Sequence, residues 1–236
     1  MWQPQVEALS AAGYDVLVPD LRGFGGRKFE DRPFSHVRDV EAIVDGPVAA
    51  VGNSLGGRVA LELALLRPDL VDRLVLIAPG LPGWEWSEET RAGWAREGAA
   101  YDRGDLEAAA EESLRLWVDG PRRSPETVDP TMRAAVREMI LRSYALDQDA
   151  TGEGAEEEGT LDPPVNERLS EIACPTLVVV GDEDVDDMRG IAAHVAGSID
   201  GARLATVANA AHLPSLEKPD EVNALLLEFL GPLKRD

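Results

Sequence analysis

The sequence predicts an α/β fold: a mostly parallel sheet flanked by helices, with a helical insertion. Three observations predict it. Short apolar runs bounded by Gly, Pro, Asp or Asn alternate with stretches of helical spacing. The alternation fails between residues 81 and 170, where aromatic residues fall on helix-like segments with no strand-like run between them. A glycine-rich turn, Gly52-Asn53-Ser54-Leu55-Gly56-Gly57, joins one apolar run to the helical pattern that follows. Alternating strands and helices bury their apolar surfaces best as a parallel sheet covered on both faces.

The expected strands are 14–19, 48–51, 74–78, 176–180 and 204–207, each rich in Val, Leu, Ile or Ala. The expected helices are 2–12, 35–44 with Ser35 as N-cap, 55–67, 188–196 and 219–230. In 55–67 the apolar side chains Leu55, Val59, Leu63 and Leu66 recur at helical spacing, and Pro68 ends the run. The core is thus assigned to 1–80 and 171–236, and the insertion to 81–170. The insertion carries Trp84, Trp86, Trp94, Tyr101, Trp117 and Tyr144, with helical patterns over 106–118 and 131–145. Residues 147–159 are acidic and glycine-bearing, the composition of a solvated surface loop.

Bulk properties exclude several function classes. The 236 residues, 44% of them apolar, suit one domain with an insertion. A formal net charge of −21 disfavours nucleic acid and anionic membrane surfaces as partners. The single cysteine, Cys174, permits neither an intrachain disulfide nor a cysteine metal cluster. No basic leader precedes an apolar stretch, and no apolar run approaches a membrane span of about 20 residues. A soluble cytoplasmic protein acting on a small molecule, with no metal and no cofactor, is the expectation.

The glycine-rich turn carries the strongest chemical signal. A serine between a strand and a helix, on a sharp turn with small neighbours, projects its hydroxyl out of the sheet. The Leu55 amide then lies at a helix N-terminus, where a developing oxyanion is favoured. A phosphate-binding loop does not fit, because no Gly-Lys-Ser/Thr follows. The serine needs a base, and His36, His194 and His212 are the three histidines. His36 precedes the serine near a helix start, and His194 falls within a helical pattern. His212 follows the run 204–207 and lies beyond a strand's carboxyl end, the rim where open parallel sheets place their sites. A carboxylate should orient the imidazole. Asp182, Glu183, Asp184, Asp186 and Asp187 all follow the run 176–180, and their spacing does not choose among them.

Four motifs resemble the α/β-hydrolase superfamily over nearly the whole chain. Val16-Leu17-Val18-Pro19-Asp20-Leu21-Arg22-Gly23-Phe24-Gly25 is similar to the strand and loop after the family's first long helix. Gly52 to Gly57 is similar to its nucleophile elbow, and the segment from Pro175 to Asp184 to its acid strand. The segment Ala211-His212-Leu213-Pro214 and the helix beyond are similar to its histidine loop. The resemblance implies a serine hydrolase with Ser54 as nucleophile, His212 as base and Asp184 as acid, the acid falling three residues after the glycine. Residues 81–170 would be the lid. The expected substrate is a small ester or related carbonyl compound, including a diketone-type acid cleaved at a carbon–carbon bond. Leu55 is expected to supply an oxyanion donor. Trp84, Trp86 and Trp94 are expected to line an apolar pocket, with Asn53 beside the serine as a further substrate contact.

The resemblance also implies elements that do not appear. The family has three strands before its first long helix, and the third carries a His-Gly motif between the strands matching 14–19 and 48–51. Gly26-Arg27-Lys28 stands where a serine usually follows, and 42–47 is a few residues short. The expectation is therefore an N-terminally incomplete fold with a gap in its sheet, marginal in stability and poor in catalysis. A non-catalytic binding protein and a cofactor-free haloperoxidase-like enzyme are the competing readings.

Overall fold

The computed structural model describes residues 1–28, 34–148 and 161–232. In chain order the helices before and after the first strand are α1 (Gln3–Ala11), α2 (His36–Glu41) and α3 (Leu55–Leu66). The strands are β1 (Val48–Ser54), β2 (Val71–Pro79), β3 (Thr176–Gly181) and β4 (Arg203–Val207). Between β2 and β3 lie α4 (Glu88–Asp102), α5 (Leu106–Leu114), α6 (Pro130–Gln148) and α7 (Val165–Arg168). After β3 come α8 (Asp186–Ser198), α9 (Pro214–Glu217) and α10 (Pro219–Leu230). Among the described residues no strand interrupts the stretch between β2 and β3. Residues 149–159 of the acidic loop read from the sequence lie outside the described residues.

The four strands form one parallel sheet in the order β1-β2-β3-β4. The central strands β2 and β3 are covered on both faces, which is why they read as unbroken apolar runs. Leu74, Leu76, Val178 and Val180 pack to one side with Val59 and Leu63 of α3 and Ile191 and Val195 of α8. Val75, Ile77, Leu177 and Val179 pack to the other with Leu9 of α1 and Val222 and Leu226 of α10. Each fully buried aliphatic side chain of this kind stabilises the fold by about 1.5–3 kcal/mol. Because all four strands run the same way, Ser54 and the segments that follow β3 and β4 emerge at one rim.

One expected strand is corrected. Residues 14–19 form no strand and pair with nothing in the sheet. Tyr14 and Val16 pack against the second core cluster, but Leu17 is 65% and Val18 45% exposed. A parallel strand is held by ladder bonds and burial on both faces, and among the described residues no neighbour supplies the ladder. The same lack leaves β1 at the sheet edge, with Val48 and Ala49 exposed.

α5 continues into a π-helical turn, Arg115–Asp119, and the chain then crosses toward the rim. Such turns are rare and recur at functional sites. No helix among the described residues is long and apolar enough to cross a membrane.

Candidate active site

Ser54 ends β1 and caps α3 at φ 53°, one of three non-glycine residues with positive φ in the described chain. A non-glycine residue there costs about 1–3 kcal/mol, so its surroundings must enforce it. Two glycines do so. A Cβ on Gly52 would stand 2.1 Å from the Gly56 carbonyl oxygen, and one on Gly57 would stand 2.8 Å from Pro79. Gly56 is different: a Cβ there meets nothing within 4 Å. The turn is pinned further by Gly80 N–H, which donates to the Ser54 carbonyl at 2.9 Å.

Asn53, expected as a substrate contact, is buried. Its amide nitrogen donates to the carbonyls of Ile77 and His212, at 3.1 and 3.2 Å, and so ties β1 to the histidine loop.

Of the five acidic candidates, only one reaches His212. Asp184 Oδ2 lies 2.9 Å from His212 Nδ1, with Asp184 wholly buried and His212 5% exposed. Its other oxygen accepts the Val185 N–H at 2.8 Å. Asp182 instead accepts the Asn209 N–H, Glu183 and Asp186 pair with Arg122, and Asp187 ties α8 to the start of α4. The two other histidines stand apart: His36 is buried against Phe34, and His194 bonds Asn166. The structure closes the His212–Asp184 bond, whereas Ser54 Oγ and His212 are not hydrogen-bonded. Catalytic hydrogen bonds commonly tighten only when substrate binds.

The stretch between β2 and β3 also reaches His212. Trp117, on the π-helical turn, accepts the His212 N–H on its carbonyl at 3.1 Å, and its ring lies 4.5 Å from the imidazole. Trp117 also lines a cavity of about 510 Å³ with Trp94 and Glu97 of α4, Tyr144 of α6 and Phe24. Trp94 stands 6.3 Å from Trp117 and 4.8 Å from Trp86. Of the three tryptophans expected to line an apolar pocket, Trp94 lines this cavity, whose lining includes Glu97 and Asp147 but not Ser54. Trp84 and Trp86 pack against the sheet cluster, and the Trp84 indole N–H donates to Asp187 at 3.3 Å. Trp117 was visible as an insertion aromatic, but no local pattern marks it as the ring that meets His212.

Two adjacent arginines brace the rim. Arg122 donates to the carbonyls of Asp182 and Asp184, at 2.8 and 2.7 Å. Arg123 donates to the carbonyl of Asn209 and pairs with Glu217, which in turn accepts the Ala211 N–H. Burial pushes the Glu217 carboxyl up, against the opposing pull of Arg123.

Residues 1–225 match the family model described as the alpha/beta hydrolase family. The chain belongs to the α/β-hydrolase family. A hydrolase structure from Pseudomonas aeruginosa shares 28% identity at a TM-score of 0.74, covering 98% of this chain and 84% of that one. A thermophilic esterase structure from Thermogutta terrifontis shares 25% identity at a TM-score of 0.73, covering 97% and 84%. The 2-hydroxy-6-oxononadienedioate/2-hydroxy-6-oxononatrienedioate hydrolase of Cupriavidus pinatubonensis is 27% identical over 235 residues, 96% of this chain and 79% of that protein. These three relatives are named as hydrolases or an esterase, and this α/β-hydrolase chain is an enzyme of the same family.

Proposed function

We propose that this α/β-hydrolase is a serine hydrolase of small esters or related carbonyl compounds. Ser54 Oγ attacks the carbonyl carbon while His212 Nε2 takes its proton. The resulting oxyanion is met by the Leu55 N–H at the start of α3. Collapse expels the leaving group, which receives the proton from His212, and leaves an acyl-Ser54 ester. Water then repeats the sequence and releases the acid. Asp184 holds the imidazole with its proton on Nδ1 and stabilises the imidazolium that forms. Helices between residues 81 and 170 serve as the lid, and Trp117 and Trp94 form part of the substrate wall.

The observation that carries this reading is the buried Asp184–His212 hydrogen bond on the rim where Ser54 sits at positive φ. A non-glycine residue at positive φ costs free energy, and strain of this kind clusters at active sites. The experiment is labelling of the purified chain with a fluorophosphonate probe. Mass spectrometry should place the adduct on Ser54, and Ser54→Ala should abolish it and lower ester turnover by at least about 10⁴-fold. A folded protein that stays unlabelled would support the non-catalytic reading instead.

A further inference from the structure

The cavity that Trp117 lines has a composition that selects among carbonyl substrates. Five aromatic rings line it: Phe24, Trp94, Tyr101, Trp117 and Tyr144. The charged groups on its wall are Glu97 and Asp147, both acidic, and among its described lining residues there is no Lys, Arg or His. Tyr101 and Tyr144 meet edge to face, with centroids 5.2 Å apart. Each is held by one of the carboxylates: Tyr144 Oη donates to Glu97 and Tyr101 Oη donates to Asp147, both at 2.6 Å. The faces of these rings are therefore fixed by the groups that carry the negative charge.

Resting on the serine-hydrolase reading above, we propose that this cavity receives a cationic portion of the substrate, a quaternary ammonium or protonated amine, carried on the ester or amide that Ser54 attacks. Aromatic faces attract a cation through their negative quadrupole. A neutral apolar group would fill the rings equally well but would offer the two carboxylates no opposite charge. An anionic group would be repelled by both. Burial already raises the Glu97 carboxyl above its ordinary range, partly offset by its hydrogen bonds, and a cation beside it would relieve that cost. The chain's net charge of −21 raises the local concentration of cations in the same direction. Trp117 is the link to the chemistry: it lines the cavity, and its ring centroid lies 4.5 Å from that of His212.

The test compares choline with its neutral isostere 3,3-dimethylbutan-1-ol and with the anion 3,3-dimethylbutanoate, each binding to the full chain. Tryptophan fluorescence and calorimetry report binding without any need for turnover. Choline should bind at least about tenfold more tightly than the neutral alcohol, and the anion more weakly than either. Butyrylcholine should exceed 3,3-dimethylbutyl butyrate in kcat/KM by a similar factor. Asp147→Asn and Trp94→Leu alter exposed side chains and should each reduce the binding preference severalfold at unchanged melting temperature. Equal binding of cation and isostere by the wild-type protein, or tighter binding of the anion, would overturn the proposal. The two readings separate cleanly. Fluorophosphonate labelling of Ser54 without a cation preference refutes the cavity inference alone. A cation preference in a protein that Ser54-directed probes do not label upholds the cation site and refutes the hydrolase reading, and with it the site's role as a substrate pocket.

Discussion

At the scale of single residues, the turn around Ser54 is governed by unequal glycines. The pattern Gly-x-Ser-x-Gly treats Gly52 and Gly56 alike, yet the space around them differs. Gly52→Ala would drive a methyl into the Gly56 backbone, and Gly57→Ala would press one against Pro79. Gly56→Ala meets open space on a helix and should be neutral or stabilise by up to about 1 kcal/mol. Thermal melts of the three variants should therefore show Gly56→Ala at or above the wild type and the other two below it; a loss at Gly56 equal to that at Gly57 would mean the turn is not packed as described. The proposed acid is a second case. Five acidic residues follow β3, and spacing alone leaves them equivalent, because only the fold of the turn decides which carboxylate points at a loop 28 residues on. Asp184→Asn should preserve stability in large part but lower turnover by roughly 10⁴-fold, through loss of the correct histidine tautomer. Asp182→Asn keeps an acceptor for the Asn209 N–H and should leave turnover within a few-fold of the wild type. Steady-state kinetics on both variants checks the contrast.

At the scale of elements, the insertion is bound into the core more tightly than its sequence suggests. The absence of strand-like runs there agrees with the structure, which among the described residues has no strand between β2 and β3. Its anchoring was not legible, because that rests on tertiary contacts with no local pattern. Residues 117–123 run between the acid turn and the histidine loop, with Gly120 so close to the Glu183 carbonyl that a Cβ would stand 2.3 Å away. Arg123 and Glu217 form a nearly buried pair there, at 2.8 Å. Removing one partner of such a pair typically costs about 3–5 kcal/mol, while removing both costs less. Arg123→Ala should thus lower stability by roughly 3 kcal/mol, and adding Glu217→Gln should recover part of the loss in denaturant titrations. A second anchor joins α8 to the start of α4. Burial pushes the Asp187 carboxyl upward, but hydrogen bonds from Ser87 and Thr90 outweigh it and hold it below the ordinary carboxylate value. The stability it contributes is complete above its unfolded pKa of about 3.9, and is lost as pH falls through the lower folded value. Asp187→Asn should flatten that acid limb of the stability curve, and an unchanged limb would assign it to other carboxylates.

At the scale of the whole molecule, the core strands were legible because burial on both faces writes them as continuous apolar runs. Residues 14–19 carry the same signature, yet they lie outside the sheet. Composition reports that a segment is suited to a ladder, not that a neighbour is present to complete one. Leu17, Val18, Ile43 and Val48 are exposed, and among the described strands β1 presents the outer row of its backbone groups at the edge of the sheet. Such an edge is a template for pairing with another chain. The net charge of −21 opposes association, but that repulsion is screened beyond about 8 Å at physiological ionic strength. Self-association should therefore rise with salt, the reverse of what an electrostatic interface would show. Ala49 is an exposed position on β1, and a lysine there places a charge on the open edge without entering the core. Ala49→Lys should suppress salt-induced association, as read by light scattering or sedimentation velocity, and leave fluorophosphonate labelling of Ser54 unchanged. If the variant associates as readily as the wild type, the β1 edge is not the surface through which copies meet.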